Sequence, residues 1–263
     1  MRLEVSDFAL DPSSRRLTMS VGPGQSVAFV LAEGSDRDRL GRVLTGQERS
    51  PFGKIEGMRP ETASLRGITR RTKPSSLVQK GAFRASDLAE ALGVADAGPE
   101  LSDAQMAASA LMRSISQGPD YLLVDGLLDR LDLWALAGAR RLLSQLTLSG
   151  TALAVITQRP DVASICDSIV VIRAGRLAFA GSQEELLRRG ARHEIEVATE
   201  NRPGVRALVD PFEVVVRETP EGVLLEASEG QAIAAKLLLA GYGDVKYLIH
   251  RAPTIEEALR ELG

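Results

Sequence analysis

The sequence predicts an α/β fold built on a mostly parallel sheet and followed by a smaller α+β unit. Three observations predict it. Tyr121-Leu122-Leu123-Val124 is an unbroken apolar run ending in Asp125, the pattern of a strand covered on both faces in a parallel sheet. From that run to Ala180, strand-like and helix-like stretches alternate, the order of a parallel α/β layer. Beyond residue 192 the pattern changes to four short strand candidates and three helix candidates, ordered βαββαβ plus a terminal helix. The expected division is therefore residues 1–190 and 191–263.

Each element has its own signal. Residues 16–20 and 26–31 are strand-like, separated by the turn Gly22-Pro23-Gly24. A polar stretch, 32–39, leads into a short helix ending near Thr45-Gly46. Residues 47–78 are rich in Gly, Pro and Arg and read as surface loops with short strands. A helix is expected over 86–92, capped by Ser86 or Asp87. Residues 102–116 are Ala- and Met-rich at helical spacing, and 132–146 form a second long helix with Asp132 as a good N-cap. Strands follow at 151–156 and 168–172, with a short helix between them after Pro160. The turn at Arg173-Ala174-Gly175-Arg176 returns into 177–180, and Ser182 begins a helix with Glu184 and Glu185 in its first turn. The last unit is expected to be ferredoxin-like, with strands at 193–198, 212–217, 222–227 and 245–250.

Composition narrows the function. Hydrophobic content of 44% and charged content of 25% suit a globular chain with a sizeable core. A net charge of -3 argues against an electrostatic nucleic-acid binder, and the cluster Arg70, Arg71, Lys73 reads as a solvated loop. A single cysteine, Cys166, permits no disulfide framework and sits in an apolar stretch that predicts a buried thiol. The two histidines, His193 and His250, are far apart in sequence, so no metal site is expected from them. MRLEVSDF lacks the apolar core of a signal peptide, and no segment approaches the roughly 20 apolar residues of a membrane span. The expectation is a cytoplasmic chain, peripheral on the inner face of the cell membrane and held there only by a partner.

Five motifs in order carry a family resemblance. VAFVLAEGSDRDRLGRVLTG at 27–46 has the length and apolar pattern of a phosphate-loop region. LSDAQ at 101–105 opens a helix. YLLVDGLLDRLD at 121–132 joins a buried strand to a loop, and TALAVITQRPDVASICDSIVVIRAGRLAFAGSQEEL at 151–186 closes the layer. The tail at 253–263, PTIEEALRELG, completes the series. Together they resemble the nucleotide-binding subunit of an ABC transporter, of exporter type by the tail, over nearly the whole chain. The resemblance implies a P-loop NTPase-like ABC ATPase domain. Gln79 is then the candidate Q-loop glutamine, and only about twenty residues separate it from Leu101. That implies a shortened helical subdomain.

The residues that do the family's chemistry are replaced. Such a site needs glycines that let backbone N–H groups approach phosphate, a Lys for the phosphates and a hydroxyl for Mg²⁺. Here Leu31 stands at the first loop glycine, Gly34 is kept and Asp36 replaces another glycine. Arg37 replaces the Lys and Asp38 the hydroxyl residue. One carboxylate about 4 Å from a phosphate charge costs roughly 4 kcal/mol at an effective dielectric of 20, about three orders of magnitude in affinity. Asp125 remains as the metal-side acid. Gly126 stands where the water-polarising Glu is expected, and Gln158 takes the switch histidine's place. In the signature, Leu101, Ser102 and Gln105 remain, while Asp103 and Ala104 replace two glycines. Leu131 and Asp132 keep the D-loop pattern. Phe8, the nearest candidate for adenine stacking, reads as core.

The resemblance therefore implies a catalytically inactive subunit, with no metal and no cofactor of its own. ATP and Mg²⁺ would be held by an active ABC ATPase partner, or the chain would pair with itself, on a transmembrane exporter subunit. Two alternatives stand beside this: an unusual but working ATPase using Arg37 and Asp125, and a soluble scaffold on the same fold.

Overall fold

The protein is described by a computed structural model covering residues 2–31, 34–57, 60–65, 68–77, 83–190, 192–240 and 245–262, with backbone only for Ser35, Ser75, Leu77 and Gly190. It divides into two units, Met1–Gln183 and Glu184–Gly263. The boundary falls seven residues before the one expected at 190/191, because the helix after residue 182 is grouped with the second unit.

The first unit opens with strands β1 (Leu3–Ala9), β2 (Leu17–Val21) and β3 (Ser26–Val30), then helix α1 (Ser35–Leu44). Strands β4 (Phe52–Glu56) and β5 (Glu61–Ala63) precede helices α2 (Ala85–Ala91) and α3 (Asp103–Ser116). Strand β6 (Tyr121–Asp125), helix α4 (Leu133–Leu148), strand β7 (Ala152–Thr157) and the single turn α5 (Pro160–Ala163) follow. Strands β8 (Ser168–Arg173) and β9 (Arg176–Ser182) complete it. The main sheet is ordered β5-β6-β7-β3-β8-β9, parallel except for the last pair. A separate antiparallel sheet is ordered β2-β1-β4.

The apolar face of helix α1 packs against both sheets. Leu40, Val43 and Leu44 pack in one cluster with Val5 and Phe8 of the small sheet and Phe29, Leu123 and Ile156 of the large one. Phe8 is thus core, as its sequence setting predicts. On the opposite face lie α3 and α4, which bury Ala107, Leu111, Ile115, Leu136 and Leu143. The predicted buried thiol is present: Cys166 is inaccessible, and burial pushes it up to about 12, with Asp167 adding to the effect. Two local expectations shift. Helix α2 starts at Ala85 with Arg84 at its N-cap, so neither Ser86 nor Asp87 caps it. Ser182 ends a strand, and the helix begins at Gln183.

The second unit starts in helix α6 (Gln183–Gly190) and continues as β10 (His193–Thr199), α7 (Arg202–Val209), β11 (Val214–Thr219) and β12 (Gly222–Ala227). Helix α8 (Gly230–Leu239), strand β13 (Val245–Arg251) and helix α9 (Ile255–Glu261) end it. Its antiparallel sheet is ordered β11-β12-β10-β13. Ile195, Val197, Val223 and Leu225 pack against Val205, Val209, Ile233 and Leu237 of α7 and α8.

Pairing of β10 with β13 brings His193 and His250 together, which sequence distance alone argued against. Their nitrogens, Nδ1 and Nε2, lie 2.8 Å apart. Among the described residues, no group of three or more His, Cys, Asp or Glu converges as a metal site. Burial and the neighbouring His250 hold His193 below the ordinary imidazole range. A depressed folded-state pKa means that the unfolded chain takes up the proton first as pH falls. The contribution of His193 is fully present above the unfolded value of ~6.5 and is lost as pH drops through the lowered folded value. Urea denaturation at neutral and mildly acidic pH should show the second unit losing stability in acid, and His193→Gln should flatten that dependence. An unchanged slope in the variant would refute the assignment.

Candidate functional site

Gly34, Asp36, Arg37, Asp38, Asp125, Gly126 and Gln158 lie at or after the carboxyl ends of β3, β6 and β7, the crevice where open α/β sheets bind ligands. Gly34 enters α1 with φ +133°, a conformation that favours glycine. Asp36 and Asp38 lie in the first turn of the helix. Their charges complement the positive end of its dipole, the feature that otherwise draws phosphate.

Arg37 closes the crevice. Its side chain is only 14% exposed, and its guanidinium Nε and Nη2 both lie 3.3 Å from Asp125 Oδ1. The guanidinium also fills the space beside Gly126. That glycine has φ +63°, and a Cβ placed on it would stand 1.5 Å from Arg37 Nη2. The carboxylate's other oxygen faces α1, where a Cβ on Gly41 would come within 2.9 Å of it. Burial pushes the Asp125 carboxyl above the ordinary range, Arg37 opposes this, and nearby Asp38 and Asp129 reinforce it. Gly126, Gly41 and Arg37 therefore form one packed group around Asp125.

Asp129 also belongs to this region and lies in the 3-10 turn Leu128–Arg130. There one carboxylate oxygen accepts from the Thr157 hydroxyl, and the other accepts from the Gln158 backbone N–H at 3.1 Å. Thr157 Oγ1 accepts in turn from the Arg159 N–H at 3.0 Å. The loop after β6 is thereby tied to the end of β7. Gln158 takes part through its backbone, and its side chain is exposed. The one sequence signal for this tie was a carboxylate in a loop whose partner strand ends in Thr. We expect Asp129→Ala to cost about 1–3 kcal/mol through the orphaned donors and to speed hydrogen exchange at the Gln158 amide. Unchanged exchange there would contradict the tie.

The signature residues bond among themselves and to Arg70. Ser102 caps α3: its Oγ accepts from the Gln105 N–H at 3.2 Å, and Gln105 Oε1 accepts from the Ser102 N–H at 3.0 Å. This is a capping box. Asp103 pairs with Arg70 at 2.8 Å, and the Leu101 N–H donates to the Arg70 carbonyl. Ala104 continues the first turn of α3. Leu131 is buried, while Asp132 caps α4 by accepting from the Ala135 N–H at 2.8 Å. Next to it, Leu133 and Trp134 are 73% and 81% exposed, so Trp134 is not core. Gln79 lies outside the described residues.

Three features of the group bear on any phosphate or Mg²⁺ placed here. A guanidinium already neutralises Asp125, two acids front the helix N-terminus, and the position beside Asp125 has no side chain to act on water.

Comparison with known proteins agrees with the architecture. No family model matches the chain. The ribose import ATP-binding protein RbsA 1 of Streptomyces coelicolor is 30% identical over 202 residues, covering 61% of this chain and 40% of that protein. The Fe(3+) ions import ATP-binding protein FbpC 2 of Rhodococcus jostii is 26% identical over 202 residues, covering 65% and 58%. The chain thus matches less than two thirds of the length of either relative. Among solved structures, an ATP binding subunit of an ABC transporter superposes with TM-score 0.57 at 17% identity, covering 72% of this chain and 92% of that one. A bacterial Atm1-family ABC exporter with ATP bound gives 0.58 at 20% identity, covering 72% and 40%. The chain therefore carries the ABC ATPase fold, and its relatives are the ATP-binding subunits of ABC transporters.

Proposed function

We propose that this chain is a non-hydrolysing ABC-type subunit that acts by docking, as the structural or regulatory partner of an active ATPase subunit on a transmembrane exporter. The observation that carries the reading is the Arg37 guanidinium laid on Asp125 in the space left by Gly126. Defects in phosphate binding, metal binding and water activation meet in that one packed group. The surface kept for a partner is the loop ending in Leu131-Asp132, continued by exposed Leu133 and Trp134. The exporter direction rests on the tail at 253–263; the curated relatives named above are import proteins. ATP and Mg²⁺ belong to the partner in this reading.

Calorimetry of the isolated chain with Mg-ATP tests the first part. The expected result is no binding tighter than about millimolar, and micromolar affinity overturns the proposal. The native complex tests the second. Trp134 is the only tryptophan of the chain, and its exposed ring should emit like a solvated indole when the chain is alone. Adding the purified ATPase partner should shift that emission to the blue, and Trp134→Ala should weaken the association. An unmoved spectrum with an unchanged partner ATPase rate would sink the docking role.

A further inference from the structure

The second unit holds a charged groove of about 690 Å³, formed by α6 and the residue after its connection, the near ends of β10, β12 and β13, and α9. Its charges are sorted by element. Arg188, Arg189 and Arg192 line the α6 side, whereas Glu257 and Glu261 line the α9 side and Glu213 stands before β11. The floor is internally balanced. Arg251 lies 3.3 Å from Glu194 and also pairs with Glu257, and Arg217 lies 3.2 Å from Glu226. Among the described residues, Arg192, Glu213 and Glu261 make no ion pair or side-chain hydrogen bond. The groove thus keeps an unspent cation on one side and two unspent carboxylates on the others, over a neutralised floor.

We propose that this groove docks an extended peptide segment of mixed charge from a partner protein. Three features select that occupant. A purely anionic ligand would meet the carboxylates of Glu213 and Glu261, and a purely cationic one would meet Arg188, Arg189 and Arg192; like-charge contacts of this kind discriminate strongly between partners. The volume lies within the ~300–1,000 Å³ range of ligand sites, enough for several residues of chain. Among the described residues the lining is mostly charged, with Ala252 and Pro253 as its apolar members, so recognition is by sign and spacing and depends on salt. This inference stands apart from the inactive ATP site, and its test makes no use of nucleotide.

The experiment uses the full chain and a fluorescein-labelled hexapeptide of alternating Lys and Glu, followed by anisotropy at low ionic strength. Labelled hexalysine and hexaglutamate serve as single-sign probes. The alternating peptide should bind at least about ten-fold more tightly than either, and added salt should release it. Arg192→Glu and Glu261→Lys should each weaken it several-fold, whereas Lys54→Glu, an exposed charge reversal in the first unit, should not. Both groove residues are exposed, and circular dichroism of each variant verifies that it folds. Absence of binding, equal or tighter binding of a single-sign peptide, or an equal loss in Lys54→Glu overturns the proposal.

Discussion

Placing the family's missing acid back, Gly126→Glu, should destabilise the protein by about 2–4 kcal/mol and restore no ATP hydrolysis. Two costs add. Position 126 has φ +63°, and a residue with a Cβ gives up about 1–2 kcal/mol there. The new Cβ would also stand 1.5 Å from Arg37 Nη2, so the guanidinium must leave Asp125 and a partly buried carboxylate loses its partner, at about 1–2 kcal/mol. A glutamate there also joins Asp38 and Asp129, which already act on Asp125. The mechanism is separable by a double-mutant cycle. Arg37→Ala alone loses the ion pair but meets no clash. In the double variant the pair is lost only once, so its cost should fall short of the sum of the singles by about 1–2 kcal/mol. Urea denaturation followed by circular dichroism measures all four corners. Additive effects would show that Arg37 and Gly126 do not share the space, and ATP turnover in Gly126→Glu would remove the basis of the proposed inactive subunit.

The frame of this site was legible in the sequence, and its interior contacts were not. A short buried run such as Tyr121–Val124, too short for a helix and closed by Asp125 and Gly126, has the pattern of a strand covered on both faces. Ser102 with Gln105 likewise announces a helix start at fixed spacing. The replacement of a Lys by Arg37 and of an acid by Gly126 was visible as two separate losses. That one side chain occupies the space vacated at the other position was not, because residues 37 and 126 meet only through the pairing of β6, β7 and β3. The same holds for Asp129 on Thr157 and for His193 on His250, each a contact made by strand order. Short strands β4 and β5 gave weak signals among Gly, Pro and Arg, since β5 has three residues and takes its place from β6.

Gly138→Ala should lower stability by about 1–3 kcal/mol, against the usual preference of helices for alanine. Gly138 lies inside α4, where Ala is worth about 1 kcal/mol over Gly. Opposing this, a Cβ there would stand 1.6 Å from the Ala91 carbonyl oxygen and 2.6 Å from its carbon. These are backbone atoms at the end of α2, so no rotamer change relieves the contact and the whole short helix must retreat. Leu88 and Leu92, fully buried at this junction, would lose packing on the order of 1–3 kcal/mol beyond the propensity gain. Gly98, with nothing within 4 Å of its would-be Cβ, is the control, and Gly98→Ala should be nearly neutral. Thermal melts give the net sign, and hydrogen exchange at Leu88 and Leu92 locates the damage. The result bears on function, since α2 is the helix described between Gln79 and the signature at Leu101. In the proposed function α2 on α4 stands where the family carries a larger helical subdomain, and loosening it should leave the Arg37–Asp125 group intact. A Gly138→Ala variant more stable than its parent would show that α2 and α4 are not in such close contact, and the account of the shortened region would fall with it.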